Sequence, residues 1–220
     1  MKHQTSKTLF SYWNEVRGTR PAPRRFEIEP ARLSSILPEA FILERVDAAT
    51  YRFRLAGTKL CEQFGMEFRG SNFLDSWDDA DRVTLSRGLA KVAEKGAVSQ
   101  FEVEAQGVSG RSVQFEVLIV PLSQSNTVID RFLGTMSTTD DASWLGSEPL
   151  RDRYLLRHEL LWPSGGEAPK MAQPHVTGYS TDLFKPVMQP KMRDARLVRV
   201  ERRNFRVYEG GLSRLYQEKD

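Results

Sequence analysis

The chain has 220 residues, 40% of them hydrophobic and 28% charged, a length and composition typical of a globular protein with a real core. The net charge of +3 and the isoelectric point near 9.0 are too mild to require a nucleic-acid or membrane partner. One cysteine, Cys61, excludes an intramolecular disulfide, and neither a membrane-spanning run nor a signal peptide is present, so we expect a soluble cytoplasmic protein.

The first 38 residues predict two helices. One is expected over residues 6–18, with Ser6 as its N-cap and Gly18 as its stop. A short second helix should begin at Pro30 and end before Pro38. The apolar face of the first helix is formed by Leu9, Phe10, Trp13 and Val16.

Residues 40–56 predict a β-hairpin that leads into a short helix. The apolar residues of its second strand alternate with polar ones, and helical spacing begins after Gly57. We expect Gly57 to give the chain room to leave the sheet and Thr58 to cap a helix that ends at Gly65. This corner should carry the helix across the apolar face of the hairpin.

A longer helix and three more strands complete the predicted core. The helix should begin in an acidic turn at residues 75–81, where the aspartates favour helix capping over a metal site, and end at Gly96. In the middle strand one face is apolar and the other mostly polar. The predicted fold class is therefore α+β, a five-stranded antiparallel sheet with helices on one face, N-terminal helices and a C-terminal extension.

Beyond residue 141 the composition changes. Residues 145–161 predict a helix, and a Pro/Gly-rich linker follows. Lys185 to Arg206 contain eight basic and two acidic residues, and a strand pair is expected around Arg203. The predicted organisation is an N-terminal helical cap, a sheet domain, a helix with linker and a basic extension, at residues 1–38, 39–141, 142–190 and 191–220.

No catalytic or metal-binding apparatus is visible in the sequence. Nucleophile elbows and phosphate-binding loops are absent, and three histidines with one cysteine do not make a zinc quartet. The apolar and aromatic side chains of the sheet domain form either a packed core or the lining of a pocket, and the sequence leaves both open. The pocket candidates are Tyr51, Phe53, Leu55, Leu60, Phe64, Phe68, Trp77, Phe101 and Phe115.

The element order resembles a PAS domain, and more narrowly a small bacterial PAS-like group. The order is two strands, helices and three strands, with a strand-Gly-Thr-helix-Phe-Gly corner before an acidic helix. The narrower resemblance rests on Trp13, Arg17-Gly18, Pro23-Arg24-Arg25, Ile28-Glu29-Pro30 and Leu37-Pro38. It covers about two-thirds of the chain and ends near Ser137.

The resemblance implies a sensor or interaction module without catalysis. A flavin photosensor needs a cysteine after its Gly-x-Asn, whereas Phe73 follows Gly70-Ser71-Asn72 here. Haem binding usually needs a helical histidine, and residues 4–157 contain none. We therefore expect no haem and no flavin-cysteinyl adduct; a small organic ligand, bound noncovalently, stays possible.

The leading hypothesis is a regulatory PAS module that binds a signalling partner in trans and forms a homodimer. Phe10 and Trp13 are the expected contacts of the dimer, on an exposed face of the first helix. The alternative is a binder of nucleic acid or an acidic partner through Arg202, Arg203 and Arg206, of which nucleic acid is the less expected.

Overall fold

A six-stranded antiparallel sheet organises the residues that the computed structural model describes, 1–124, 128–140 and 142–163. Its strand order is β2-β1-β5-β4-β3-β6, and all of these residues belong to one compact unit, Met1–Ala172. The first five strands are the predicted ones. Their bounds are β1 (Ala40–Arg45), β2 (Tyr51–Ala56), β3 (Val98–Gly107), β4 (Ser112–Ser123) and β5 (Ile129–Thr138), followed by β6 (Leu150–Leu161).

The sixth strand replaces a predicted helix. The helix expected over residues 145–161 is wrong, because Leu150–Leu161 pair with β3 along its length and extend the sheet past the predicted domain end at residue 141. Without β6 the edge of β3 would present a row of unpaired backbone groups. A register shift at Leu156 lets both Leu155 and His158 face the core despite their odd spacing.

Within the described residues, three α-helices and several 3-10 turns surround the sheet. The helices are α1 (Gln4–Arg17), α2 (Thr58–Phe64) and α3 (Asp79–Lys95), and each ends at the predicted glycine with positive φ. His3, not Ser6, caps α1, since its Nδ1 accepts a hydrogen bond from the Thr5 amide and Ser6 is buried. The 3-10 turns are Arg25–Glu27, Pro30–Leu33, Leu37–Glu39 and Phe73–Ser76.

Both faces of the sheet are covered. The inner face, which carries Phe115, packs against α2 and α3, as predicted. The outer face was expected to be mostly polar in the middle strand, but Leu118 and Val120 of β4 are buried there. They are covered by α1 and the turn after it, through Leu9, Tyr12, Trp13, Leu33 and Ile36. The core therefore has two layers, one on each side of the sheet.

The acidic turn before α3 has a structural role. Asp78 caps α3 by accepting a hydrogen bond from the Asp81 amide at 2.8 Å, which confirms the capping interpretation. Asp81 in turn accepts from the Leu155 amide at 2.8 Å and so ties α3 to β6. Within the described part of the chain, no group of three or more potential ligands is placed to hold a metal ion.

Candidate functional site

The corner between β2 and α2 is built by close backbone packing. The Gly57 amide donates to the Ala40 carbonyl at 2.7 Å, and a Cβ on Gly57 would lie 2.2 Å from the Pro38 carbonyl oxygen. The expected role of Gly57 as the residue that gives room is confirmed. The prediction that Thr58 caps α2 is wrong, because Gly57 occupies the N-cap position and the exposed Thr58 side chain makes no capping bond.

Eight of the nine pocket candidates gather in the inner-face cluster. Leu55 does not, and its side chain is 46% exposed. A β-bulge places Ala56 opposite Phe41 on the inner face, so Leu55 pairs with Ile42 and turns outward. The eight buried candidates are Tyr51, Phe53, Leu60, Phe64, Phe68, Trp77, Phe101 and Phe115.

The aromatic rings nearly fill the space between the sheet and the helices. Phe53 and Phe68 have ring centroids 5.0 Å apart, and Phe64 lies edge-on to Phe68 at 5.5 Å. A cavity of only about 20 Å³ is left, which is room for about one water molecule. It is lined by Phe41, Phe53, Leu60, Phe64, Phe68, Phe73, Trp77, Met136 and Arg153.

Four of these lining residues, Phe41, Phe73, Met136 and Arg153, are not among the nine pocket candidates. Phe41 follows the alternation of β1 and was accessible to sequence reasoning. Arg153 was not, because it comes from the strand that had been predicted as a helix. Its guanidinium lies over the Phe64 ring at 4.2 Å and the Phe68 ring at 5.5 Å, and burial lowers its pKa to about 10.

His158 is the second inward-facing ionisable residue of β6. Its Nε2 lies 2.9 Å from the Ser99 hydroxyl, and its ring meets Phe101 edge-on at 6.2 Å. The His158 ring packs directly against Gly88 of α3. A Cβ added to Gly88 would lie only 2.5 Å from the imidazole, so there is no space for it. Burial lowers the pKa of His158 below its ordinary value of 6.5, so the folded protein favours the neutral ring.

The free energy of unfolding should therefore fall as the pH is lowered. Because the pKa of His158 is lower in the folded chain, the unfolded chain binds more protons once the pH drops below 6.5. Urea unfolding between about pH 7.5 and pH 5.5 measures the slope, which His158→Gln should flatten. An equal slope in that variant would contradict the assignment.

The outer face holds the start of α1 through a buried carboxylate. Glu116 of β4 accepts hydrogen bonds from the Lys2 and His3 amides at 2.6 and 3.0 Å, and from the Gln100 side chain at 3.2 Å. Burial raises the pKa of Glu116, but the hydrogen bonds from the Lys2 and His3 amides contribute to a larger opposing effect, and the net shift is downward. A negative charge at this position also favours the N-terminal end of the α1 dipole.

Glu39 makes a second connection between layers. Its carboxylate accepts hydrogen bonds from Thr5 of α1 at 2.9 Å and from Ser137 of β5 at 2.5 Å, and it pairs with Lys59 of α2 at 2.5 Å. Burial raises its pKa, and the three partners together lower it further than burial raises it. One side chain thus links α1, the sheet and α2.

The predicted dimer contacts on α1, Phe10 and Trp13, do not form the exposed face that was expected. Trp13 is fully buried and its indole N–H donates to the Pro121 carbonyl at 2.7 Å, so the expectation of an exposed Trp13 face is wrong. Phe10 is partly buried beside it, with ring centroids 6.1 Å apart. The other predicted contacts, Arg202, Arg203 and Arg206, lie outside the described residues.

The N-terminal segment also exposes an aromatic ring. Phe26 is 72% exposed and contacts the Arg24 guanidinium at 5.6 Å. Beside it is an open cleft of about 270 Å³. The residues that line this cleft, which we call the Phe26 surface, are Arg25, Phe26, Ile42, Arg54, Gln124 and Arg131.

The antiparallel sheet closed by helices over an aromatic face is the architecture that the residue pattern predicted. A family model described as a PAS domain matches residues 1–137, more than half of the chain. The chain therefore belongs to the PAS domain family, whose members are generally non-catalytic sensory modules. The predicted family is confirmed, and the narrower bacterial group stays a prediction.

Three solved structures are similar to part of this chain. The structure described as "Flavin Analogue Sheds Light on Light-Oxygen-Voltage Domain Mechanism" is 10% identical with a TM-score of 0.39, over 50% of this chain and 84% of that one. A Rhodobacter sphaeroides LOV protein is 10% identical with a TM-score of 0.39, and the match covers 53% of this chain and 71% of that protein. The PAS domain of an HTR-like protein from Haloarcula marismortui is 19% identical with a TM-score of 0.33, and the match covers 52% of this chain and 94% of that domain. The curated proteins gave no significant match.

The aromatic core does not fit a flavin or a haem. Its cavity of about 20 Å³ is far below the roughly 300–1,000 Å³ of sites for ligands of such size. Phe73, at the position where a flavin photosensor carries its cysteine, is itself part of the cavity wall. The absence of haem and of a flavin-cysteinyl adduct stays a prediction. In the described ranges no helix is long and apolar enough to span a membrane.

Proposed function

We propose that this PAS domain is a non-catalytic regulatory module that acts by binding a protein partner at the Phe26 surface. The observation that carries the proposal is the 72% exposure of Phe26 beside a cleft with three arginines. Aromatic residues, including phenylalanine, and arginine are enriched in protein interfaces relative to the rest of the surface. The filled aromatic core favours signalling through contacts over signalling through a large cofactor.

The Phe26 ring is held by a well-connected turn. Glu27 accepts a hydrogen bond from the Arg24 amide at 2.7 Å and pairs with Arg20 at 2.9 Å, which fixes the 3-10 turn on both sides of Phe26. Tyr12 of α1 accepts from the Glu29 amide at 2.7 Å and anchors the next residues. A preorganised ring loses little conformational entropy when it binds.

The charge of the surface indicates the chemistry of the partner. Arg54 and Arg131 share the carboxylate of Glu44, at 3.4 and 2.6 Å, and Arg131 also pairs with Asp130. Arg25 forms no ion pair with any residue of the described ranges. The cleft is thus positive around an exposed ring, which favours an acidic peptide segment that carries an apolar side chain.

An acidic peptide with one central leucine should bind the full-length protein. We expect the backbone NMR signals of residues 25–27, 42 and 54 to shift, and Phe26→Ser to weaken binding at least about tenfold, since loss of a central anchor costs about 2 kcal/mol or more. Val108→Ser is the matched control, because Val108 is 65% exposed and lies in the β3–β4 turn. That variant should bind like the wild type.

A peptide with lysine in place of each acidic residue tests the charge. Equal binding of both peptides, or no binding of the acidic one, would contradict the proposal. Light scattering of the wild type and Phe26→Ser tests the predicted homodimer separately. A dimer that Phe26→Ser converts to a monomer would assign the surface to a second copy of the chain instead.

A further inference from the structure

A second cleft, about 270 Å³ in volume, lies between the end of α2 and the start of β6. Arg153 and Phe64 line both this cleft, which we call the β6 cleft, and the small aromatic cavity. The Arg153 side chain therefore lies between the open β6 cleft and the small aromatic cavity. The β6 cleft is lined by Phe64, Gly65, Met66, Ser76, Pro149, Leu150, Arg151 and Arg153.

Two N–H donors at this junction have no acceptor in the described part of the chain. One is the Nε of Arg153, and the other is the indole nitrogen of Trp77, which is only 5% exposed. Buried donors almost always have a partner, because an unmade hydrogen bond costs the full desolvation of the group. Both residues line the cavity of about 20 Å³, which has room for about one atom the size of a water oxygen.

Arg153 is also charged and largely buried without a counter-ion. No carboxylate of the described residues forms an ion pair with it, and desolvation alone accounts for the downward shift of its pKa. The rings of Phe64 and Phe68 compensate part of the cost through cation–π contacts at 4.2 and 5.5 Å. A planar carboxylate matches the guanidinium better, because it accepts two parallel hydrogen bonds.

The walls of the β6 cleft define the rest of the ligand. Phe64, Met66, Pro149 and Leu150 supply apolar surface, and the volume lies just below the range of about 300–1,000 Å³ for drug-sized ligands. We propose that the β6 cleft binds a small monocarboxylic acid, with its carboxylate on Arg153 and its apolar body against Met66 and Pro149. Arg153 lies outside residues 1–137, which the family model matches, so the residue proposed to hold the carboxylate comes from the β6 extension of this chain.

Calorimetric titration of the full-length protein with acid and amide pairs tests the site. The probes are benzoate, phenylacetate and hexanoate, each with its neutral amide. We expect at least one acid to bind at least about tenfold more tightly than its amide, since only the acid gains the charge-assisted pair. Arg153→Met should remove this preference, whereas Arg157→Met, a change at an exposed arginine of the same strand that does not line the cleft, should keep it.

The wild-type comparison of acid and amide does not depend on the folding of any variant. Arg153→Lys keeps the charge but loses the planar fork, so the best acid should bind it more weakly than the wild type. Failure of all three acids to bind at millimolar concentration, equal binding of acid and amide, or an unchanged acid affinity in Arg153→Met would overturn the site. Equal binding of inorganic phosphate would overturn the monocarboxylic assignment.

Discussion

Trp13→Ala should lower the free energy of unfolding by about 3–5 kcal/mol, the usual cost of removing a large ring from a core. Trp13 is fully buried between α1 and the outer face of the sheet, in one cluster with Leu118 and Val120 of β4. Its indole N–H also donates to the Pro121 carbonyl in a buried hydrogen bond of 2.7 Å. The substitution removes apolar packing and leaves a buried carbonyl without its donor.

Urea unfolding of the full-length protein measures this loss. Trp13→Phe separates the two contributions, because it keeps most of the packing and removes the hydrogen bond, with an expected cost of about 1–3 kcal/mol. Phe10→Ala is the control on the same helix, and its partly buried ring should matter less. A wild-type unfolding midpoint in Trp13→Ala, together with a change in oligomeric mass, would restore Trp13 as an exposed dimer contact.

The burial of Trp13 shows what a helical pattern leaves undecided. The apolar face of α1 was correctly predicted, but an amphipathic helix presents the same pattern to a partner chain and to its own sheet. The outer face of β4 offered a hint, since Leu118, Val120 and Leu122 alternate there. Glu116 interrupts that alternation as a buried charge, because it binds the amides at the start of α1.

Sequence signals were most reliable where a single residue determines the backbone conformation. Gly18, Gly65 and Gly96 end the three helices with positive φ, a conformation that costs other residues about 1–2 kcal/mol. Residues 150–161 show the opposite case. Their apolar residues have helical spacing, yet the segment forms a strand because it pairs with β3. That pairing depends on the free edge of the sheet, which the sequence of the segment alone does not reveal.

Most members of the aromatic cluster could be predicted from the sequence, but the volume left among them could not. Eight of the nine pocket residues do line or adjoin one aromatic cluster, as the alternation of strands and helices implied. The remaining cavity of about 20 Å³ depends on how the rings of several elements interlock. Arg153 could not be found because its contact with Phe64 exists only once β6 has joined the sheet.

Gly57→Ala should lower the free energy of unfolding by about 3 kcal/mol, at the upper end of the range for overpacking. The backbone of Gly57 is not strained, with φ −67° and ψ 154°, so the stiffer alanine alone would stabilise the fold by about 0.4–1 kcal/mol. The new Cβ, however, would lie 2.2 and 2.4 Å from the carbonyl oxygens of Pro38 and Leu37. The clash should win, because both contacts are backbone atoms of a hydrogen-bonded turn.

Thr58→Ala is the matched control at the next position of the same corner. Its side chain is exposed and makes no capping bond, so the free energy of unfolding should change by less than about 0.5 kcal/mol. If Thr58 capped α2, the same change would cost about 1 kcal/mol. Chemical unfolding of the two variants therefore distinguishes a corner built by backbone approach from one built by capping. Similar losses in both would contradict the close approach of Gly57 to residues 37–38.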